Sequence, residues 1–463
     1  MAGAVPQYES WVEERQLSEL SGALGDPPRM AELRREAFRL FGELPLEPNP
    51  LYRKYGYFAG VDLTGIAPAS KGHPVPLPPP PADTVRIVHD ASGTRFDVPP
   101  ELVDLGVRVA PLDVLFHAGA AEMDGFLRGM NPGADRLTAL SVALLNRGYR
   151  LTVPPKLPSP LRAQDLTIIA QPHEALSVRR TISVGDRSRL LFSEEVFSSP
   201  AAGAQRLLAS SVDLEVGASA QVAYQTLHAP DVRTVSLYQR SATVGAGSRL
   251  GWLWAGFGGY RTRQRNQTSL VGQGADAEDL QAFYGAGEQA YDSAINMTHV
   301  GTDTHGQSIT RGVFQDEARG MSRGLVRIEK EARKTVSYLS EHAMLLSKGS
   351  RSDTIPILEI LCRDVKATHS TSVAPVDPEK VFYLESRGLS ARDATRMISE
   401  GFLANVLGRA PVANLREILY PYLAARWTGG EIAWREGAYP SLPRLDFASD
   451  VPVTDWRFDT KLR

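Results

Sequence analysis

From Ile182 to Val373 apolar and polar positions alternate in short runs, as in Val222-Ala223-Tyr224-Gln225-Thr226-Leu227 and Val235-Ser236-Leu237-Tyr238, the manner of β-strands. One phrase punctuates these runs: Val-Gly, two residues, a small residue, any residue, an apolar residue. Its fullest form is Val184-Gly185-Asp186-Arg187-Ser188-Arg189-Leu190. It recurs as Val216-Gly217 through Ala220 and Val222, as Val244-Gly245 through Ser248 and Leu250, and as Val271-Gly272 through Ala275. The glycines fall 32, 28 and 27 residues apart. A repeat of this length marks stacked supersecondary units, each burying its apolar edge against its neighbours. The pattern predicts a mainly β chain built on a β-solenoid, against the competing reading of a β-sandwich with glycine turns. A solenoid offers long flat faces, which suit docking partners at least as well as enclosing a small substrate.

Outside the repeats the period becomes helical. Asp26-Pro27-Pro28 opens a helix whose apolar face is Met30, Leu33, Ala37, Leu40 and Phe41, ending at Gly42. Residues 68–81, with Pro78-Pro79-Pro80-Pro81, predict an extended tether. A hairpin is expected from Thr84 to His89 and Thr94 to Val98, and a helix from Asp135 to Asn146 that Gly148 stops. After the strands, Asp377-Pro378 starts a short helix that ends at Gly388, and Ser390 with Asp393 caps the next. Ala394, Met397, Ile398, Gly401, Phe402 and Val406 form one face of it. Leu415, Ile418 and Leu419 continue the pattern as far as Pro421, and the tail from Tyr439 to Arg463 has no period. The expected division is a mostly helical region 1–148, a β-solenoid core 149–376 and a helical domain with tail 377–463, the helical blocks covering the solenoid's open ends.

At 463 residues the chain exceeds the roughly 250–300 at which one core stops growing. Its 51 Lys+Arg and 53 Asp+Glu leave no basic excess for nucleic acid. Met1 to Pro6 lacks the charged-then-apolar order of a secretory signal, and no apolar run approaches the roughly 18 residues of a membrane span. With the single cysteine Cys362, which forbids internal disulfides, these features predict a cytoplasmic protein without a membrane partner.

Catalytic signatures are absent from the sequence. There is no phosphate-cradling Gly-x-x-x-x-Gly-Lys-Ser/Thr, no His-Glu-x-x-His and no Cys-x-x-Cys. Trp252, Trp254, Phe257 and Tyr260, interleaved in a Gly-rich run, are expected to stack inside the solenoid rather than to bind a ligand. His299 and His305 are expected to be hydrogen-bonded structural residues.

From His299 to Leu407 the pieces His299-Val300-Gly301, Arg311-Gly312-Val313, Ala318-Arg319-Gly320 and Gly324-Leu325-Val326-Arg327-Ile328 are followed by Pro356 to Glu359 and Asp364-Val365-Lys366 with His369. Phe382-Tyr383-Leu384, Ser386-Arg387-Gly388 and Gly401-Phe402 complete the order. This segment resembles the SufB/SufD family, scaffold proteins of the sulfur-mobilisation (Suf) pathway of iron–sulfur cluster assembly. Fainter similarity reaches upstream to Ala139 through Pro154.

The resemblance implies a right-handed parallel β-helix between helical ends. It implies a non-catalytic subunit that pairs with a SufB-like paralogue, or with itself, and docks the ABC-type ATPase SufC on its C-terminal helices. No tightly bound cofactor is implied, only iron or a nascent cluster held transiently at the subunit interface. His369 matches the family's histidine and is expected to give an imidazole to that iron. Glu341 stands where SufB has its sulfur-accepting cysteine and is the expected second ligand. Ser370 replaces the glutamate that follows the histidine in SufB, and Ala367 the cysteine found in many SufD sequences, so the chain leans towards SufD. Cys362, its only thiol, is placed on a strand. The ATPase is expected on the helices from Val381 to Leu407, with Arg387, Gly388 and Leu389 in the exposed turn. Two other readings remain: a SufB-like member that nucleates the cluster itself, and a carbohydrate-active β-helix enzyme, against which the missing signal and the lack of clustered carboxylates count.

Overall fold

The computed structural model describes residues 11–427 except 56, 59, 70–71, 200–202 and 410–414. The tail from Tyr439 onwards lies outside the described residues. Helices α1 (Glu14–Leu24) and α2 (Pro28–Glu43) are followed by β1 (Ala67–Pro68), the hairpin β2 (Thr84–Asp90) and β3 (Gly93–Asp97), and α3 (Pro100–Asp104). Then come β4 (Arg108–Pro111), α4 (Leu112–His117), α5 (Ala120–Leu127) and α6 (Arg136–Ala143). No helix among the described residues is long and apolar enough to cross a membrane.

Eight coils of two strands each follow. They are β5 (Arg147–Val153) with β6 (Leu161–Ile169), β7 (Glu174–Val184) with β8 (Arg189–Ser198), β9 (Arg206–Val216) with β10 (Gln221–Ala229), and β11 (Thr234–Val244) with β12 (Arg249–Gly256). The rest are β13 (Arg261–Leu270) with β14 (Asp276–Gly285), β15 (Ala290–His299) with β16 (His305–Phe314), β17 (Arg319–Ile328) with β18 (Thr335–Leu345), and β19 (Arg351–Ile360) with β20 (Val365–Pro375). Odd strands stack in parallel into a first sheet that runs from β4 to β19, and even strands into a second that runs from β3 and β2 to β20. The expected β-solenoid is therefore present. Three helices close the described chain: α7 (Pro378–Glu385), α8 (Ala391–Leu407) and α9 (Leu415–Trp427).

The Val-Gly phrase is the corner where a first-sheet strand turns into its second-sheet partner. Each corner sits directly on the one before: Gly217 N donates to Val184 O at 2.8 Å and Gly245 N to Val216 O at 2.9 Å. A Cβ on Gly245 would stand 2.8 Å from the Val216 carbonyl oxygen, and one on Gly272 only 2.0 Å from Ala246 N, so no side chain fits. Two residues on, Arg187 (φ 61) and Ser219 (φ 57) adopt the left-handed conformation. Their amides donate forward to Ala218 and Ala246, at 2.9 and 2.8 Å. The small residue of the phrase, Ser188, Ala220, Ser248 or Ala275, is the buried inner corner. Spacing, glycine and small residue thus have one cause, which is stacked corners hydrogen-bonded both backwards and forwards.

The described helices cover the flanks of the rod and not, as expected from the sequence, its last coil. Leu137, Ala139 and Leu140 of α6 join Ala175, Leu207, Ala209, Val235 and Leu237 on the outside of the first sheet. Leu403, Val406 and Leu407 of α8 and Tyr422 and Leu423 of α9 join Leu191, Ala223, Leu253 and Leu280 on the outside of the second. Both sheets carry apolar residues on both faces, and an apolar outer face costs more to leave wet than a coil end. The Pro-rich stretch is extended from residue 72, with Val75 buried on the second sheet and its amide donating to Asp90 Oδ2 at 3.0 Å. Helix α9 does not stop at Pro421 but continues to Trp427, because Tyr422 and Leu423 are held by the sheet beneath, a tertiary gain that outweighs the proline's cost. The segment after α2 reaches the last coils on the first sheet's side, where Glu47 Oε2 meets Arg323 Nη1 at 3.1 Å and Tyr57 OH donates to Asp353 Oδ2 at 3.0 Å.

Candidate functional site

β19 and β20 end the two sheets, and each is paired on one side only. The burial of earlier strands fades there, and β20 is half-buried or exposed throughout. A parallel strand with a bare edge is a template for another chain.

Register places the two expected ligands on the inward face of this end. Down the second sheet one inward row reads Tyr224, Trp252, Asp279, Ser308, Leu339 and then His369. The neighbouring row reads Glu194, Thr226, Trp254, Gln281, Thr310, Glu341 and Thr371. His369 therefore lies one strand outward and two residues along from Glu341, with Cα atoms roughly 8 Å apart by strand geometry. Their surroundings differ. Nothing stacks beyond His369, which is exposed, while Glu341 is 0% exposed between the last two coils. Ser322 donates its hydroxyl to Glu341 Oε1, and Oε2 has no hydrogen-bond partner. Burial pushes this carboxyl up to about 7, with the Ser322 bond opposing. A buried polar atom without a partner costs about 1–3 kcal/mol, so the site is strained in isolation.

The other candidates separate cleanly. His299 is buried, with Nδ1 2.9 Å from Thr304 Oγ1 and Nε2 3.1 Å from Ser337 Oγ, and burial lowers it to about 3. It is the structural residue expected. Cys362 is not on a strand but in the turn after β19, packed with Leu339, Val326 and Ile328. Trp252 and Trp254 lie inside the rod, but Phe257 faces the C-terminal helices and Tyr260 sits half-buried at a corner. Among the described residues no three His, Cys, Asp or Glu side chains gather as a metal site.

Arg387, Gly388 and Leu389 form the turn between α7 and α8, where Gly388 has φ 92. Arg387 and Gly388 are exposed and Leu389 is half-buried. The Arg387 guanidinium lies 5.2 Å from the Tyr383 ring centroid. On the two helices flanking this turn Phe382, Tyr383 and Met397 are 72%, 57% and 54% exposed, unusually open for large apolar side chains. Met397, expected on the buried face, points away from it. Ala394, Ser399, Leu403, Val406 and Leu407 are the residues that face the rod. Helix α7 joins β20 through Val376 and Asp377 alone, and Val376 N donates to Leu345 O at 3.1 Å.

A chain of buried charges inside the first coils escaped the sequence reading. Arg180 donates to both oxygens of Asp165, at 2.7 Å each, and its Nη1 stands 3.3 Å from Glu194 Oε1. Glu194 Oε2 in turn accepts from Arg240 Nη2 at 2.9 Å. Tyr149 OH donates to Asp165 at 2.6 Å, and the Arg240 guanidinium lies 4.7 Å from the Trp254 ring. Burial alone would raise the Asp165 carboxyl, but the Arg180 charge overrides it and holds the group well below the usual carboxylate range. The available signal was parity: Glu194 shares the inward phase of Leu190 and Phe192.

Comparison with known proteins identifies a family. A family model described as the SUF system FeS cluster assembly, SufBD core domain, matches residues 167–402. The iron–sulfur cluster assembly protein SufD of Bacillus subtilis is 28% identical over 343 residues, covering 73% of this chain and 77% of that protein. An iron–sulfur cluster assembly SufBD family protein of Staphylococcus saprophyticus is 25% identical over 306 residues, 65% of each chain. One of Mycobacterium leprae is 27% identical over 239 residues, 52% of this chain and 28% of that protein.

Proposed function

Because the chain belongs to the SufB/SufD family of iron–sulfur cluster assembly proteins, we propose that it is a SufD-like scaffold subunit whose last coil receives a partner. The bare edges of β19 and β20 pair with the matching end of a SufB-like subunit, or of a second copy of this chain. Iron or a nascent cluster is the cargo of that junction. His369 supplies an imidazole to it, and Glu341, one strand further in, is the carboxylate behind it. The observation that carries this reading is the position of His369: an exposed imidazole ending an inward row at an unpaired edge. Since the described residues gather no metal site of their own, the remaining ligands come from the partner.

The α7–α8 surface docks a SufC-like ABC-type ATPase, with Phe382, Tyr383 and Met397 as apolar anchors and Arg387, Gly388 and Leu389 in the turn. Nucleotide chemistry belongs to that subunit, since this chain's sequence lacks a phosphate loop. On this reading the protein acts in the cytoplasm, is not itself an enzyme and keeps no resident cofactor.

The test is anaerobic reconstitution of the chain with its paralogue and ATPase. His369→Ala is expected to lose most of the bound iron while assembly is kept, and Glu341→Gln to lose less. Undiminished iron in His369→Ala refutes the assignment. Phe382→Asp combined with Met397→Asp is expected to release the ATPase and leave the paralogue bound. A stable cluster chromophore in this chain alone would favour the reading in which it nucleates the cluster unaided.

A further inference from the structure

β20 carries His369 with little to hold its register. The strand pairs on one side only, and five successive polar residues, Thr368 to Ser372, occupy both faces of its middle. Val365 and Ala367 anchor just its start, beside Leu339. A strand polar on both faces is weakly specified, and a slip of one residue exchanges its inward and outward sets. Here that slip would turn His369 outwards and put a serine in its place.

The outward face supplies the missing restraint. Ser370 pairs with Ser340 of β18, which Tyr338 and His342 flank two residues to either side. Tyr338 OH lies 2.8 Å from Ser370 Oγ, and His342 Nε2 lies 3.1 Å from the same atom. His342 Nδ1 bonds Ser372 Oγ as well. Behind them Arg311 Nη1 donates to Ser340 Oγ at 3.1 Å, and Ser340 Oγ stands 3.4 Å from Ser370 Oγ. Burial, aided by the Arg311 charge, lowers His342 to about 4. The neutral ring therefore donates with one nitrogen and accepts with the other, and a serine hydroxyl can answer either.

We infer that Tyr338 and His342 are positioning residues: by gripping Ser370 and Ser372 from outside, they fix the register of β20 and aim the His369 imidazole into the junction. The inference rests on the iron role proposed for His369, and both side chains act from the face opposite that imidazole.

Hydrogen exchange on the full chain without iron reads the grip directly. In Tyr338→Phe combined with His342→Leu, and separately in Ser370→Ala, the β20 amides are expected to exchange about tenfold faster while those of β14 are unchanged. Anaerobic reconstitution with paralogue and ATPase reads the consequence. The double variant is expected to bind iron about tenfold more weakly with Tm within about 2 °C of wild type. The nitrogen coupling of bound imidazole, seen by pulsed EPR of the iron nitrosyl, should fade with it. Tyr338→Phe combined with His342→Gln, which returns a donor and an acceptor, is expected to recover most of both losses. Unchanged β20 exchange in both variants overturns the inference. His369→Ala, run alongside, separates the two readings: iron lost there but kept in the double variant overturns the positioning role alone, whereas iron kept in both overturns the iron reading on which it rests.

Discussion

The first coils and the last coils of the rod share one backbone plan and treat charge buried between the two sheets in opposite ways. Near the N-terminal end Asp165, Arg180, Glu194 and Arg240 alternate in sign, and each acid is paired with a guanidinium. Towards the other end Asp279 receives only the amides of Gln281 and Asn266, and Glu341 only the hydroxyl of Ser322. Burial raises Asp279 to about 6 and Glu341 to about 7. Acids paired with guanidinium groups fix how coils stack, while an acid left without a counter-ion keeps a demand that something else must meet. The rod is finished at one end and unfinished at the other.

The most severe way to break this contrast is Arg180→Met, which leaves Asp165 and Glu194 buried without their shared cation. We expect a loss of about 3–5 kcal/mol in urea unfolding, or failure to fold. A loss under about 1 kcal/mol would mean that the network is incidental. At the other end the sign reverses. Asp279→Asn and Glu341→Gln each remove an uncompensated acid and should stabilise the chain by about 1–3 kcal/mol at pH 8. Destabilisation by either would show that its charge is already neutralised within the fold.

The pH profile sharpens the point. For both acids the folded-state pKa lies above the unfolded one, so the folded chain holds the proton more tightly. Their favourable contribution is whole below about pH 4 and is lost as pH rises through about 6 to 7. Wild-type Tm should therefore fall from pH 5 to 8 more than that of the Asp279→Asn, Glu341→Gln double variant. Parallel profiles would contradict the raised values. The smallest effect is expected at His369→Ala. The exposed imidazole ends the same row as Asp279 but lies outside the packed coils, so Tm should stay within about 1 °C of wild type by differential scanning calorimetry.

The sequence displayed the coil more fully than the site. Stacked corners exclude a side chain at one position and admit only a small one three residues later, so geometry writes itself into the text wherever the phrase recurs. Helix positions were readable from their caps, as with Ser390, whose side chain accepts from Asp393 N. Their placement was not, because whether a helix covers an end or a flank depends on which surface is apolar after the strands have stacked. The resemblance singles out Glu341 without showing its burial, and nothing in the local text but parity marks Glu194; only the register shows that both point inwards. The exposure of Met397 was hidden for the converse reason: helical period locates a face, and the rod decides which face is used.

The two-residue joint between β20 and α7 has a mechanical consequence. A load that passes from α7 through this joint meets the rod at one end of its outermost strand and so acts by peeling, opening the ladder to β18 one rung at a time from Pro375, where a lengthwise shear would have to break the rungs together. Thr371, the neighbour of Glu341, would come free before His369, and a small stroke at the helices would uncover the inner acid while the outer imidazole still held its place.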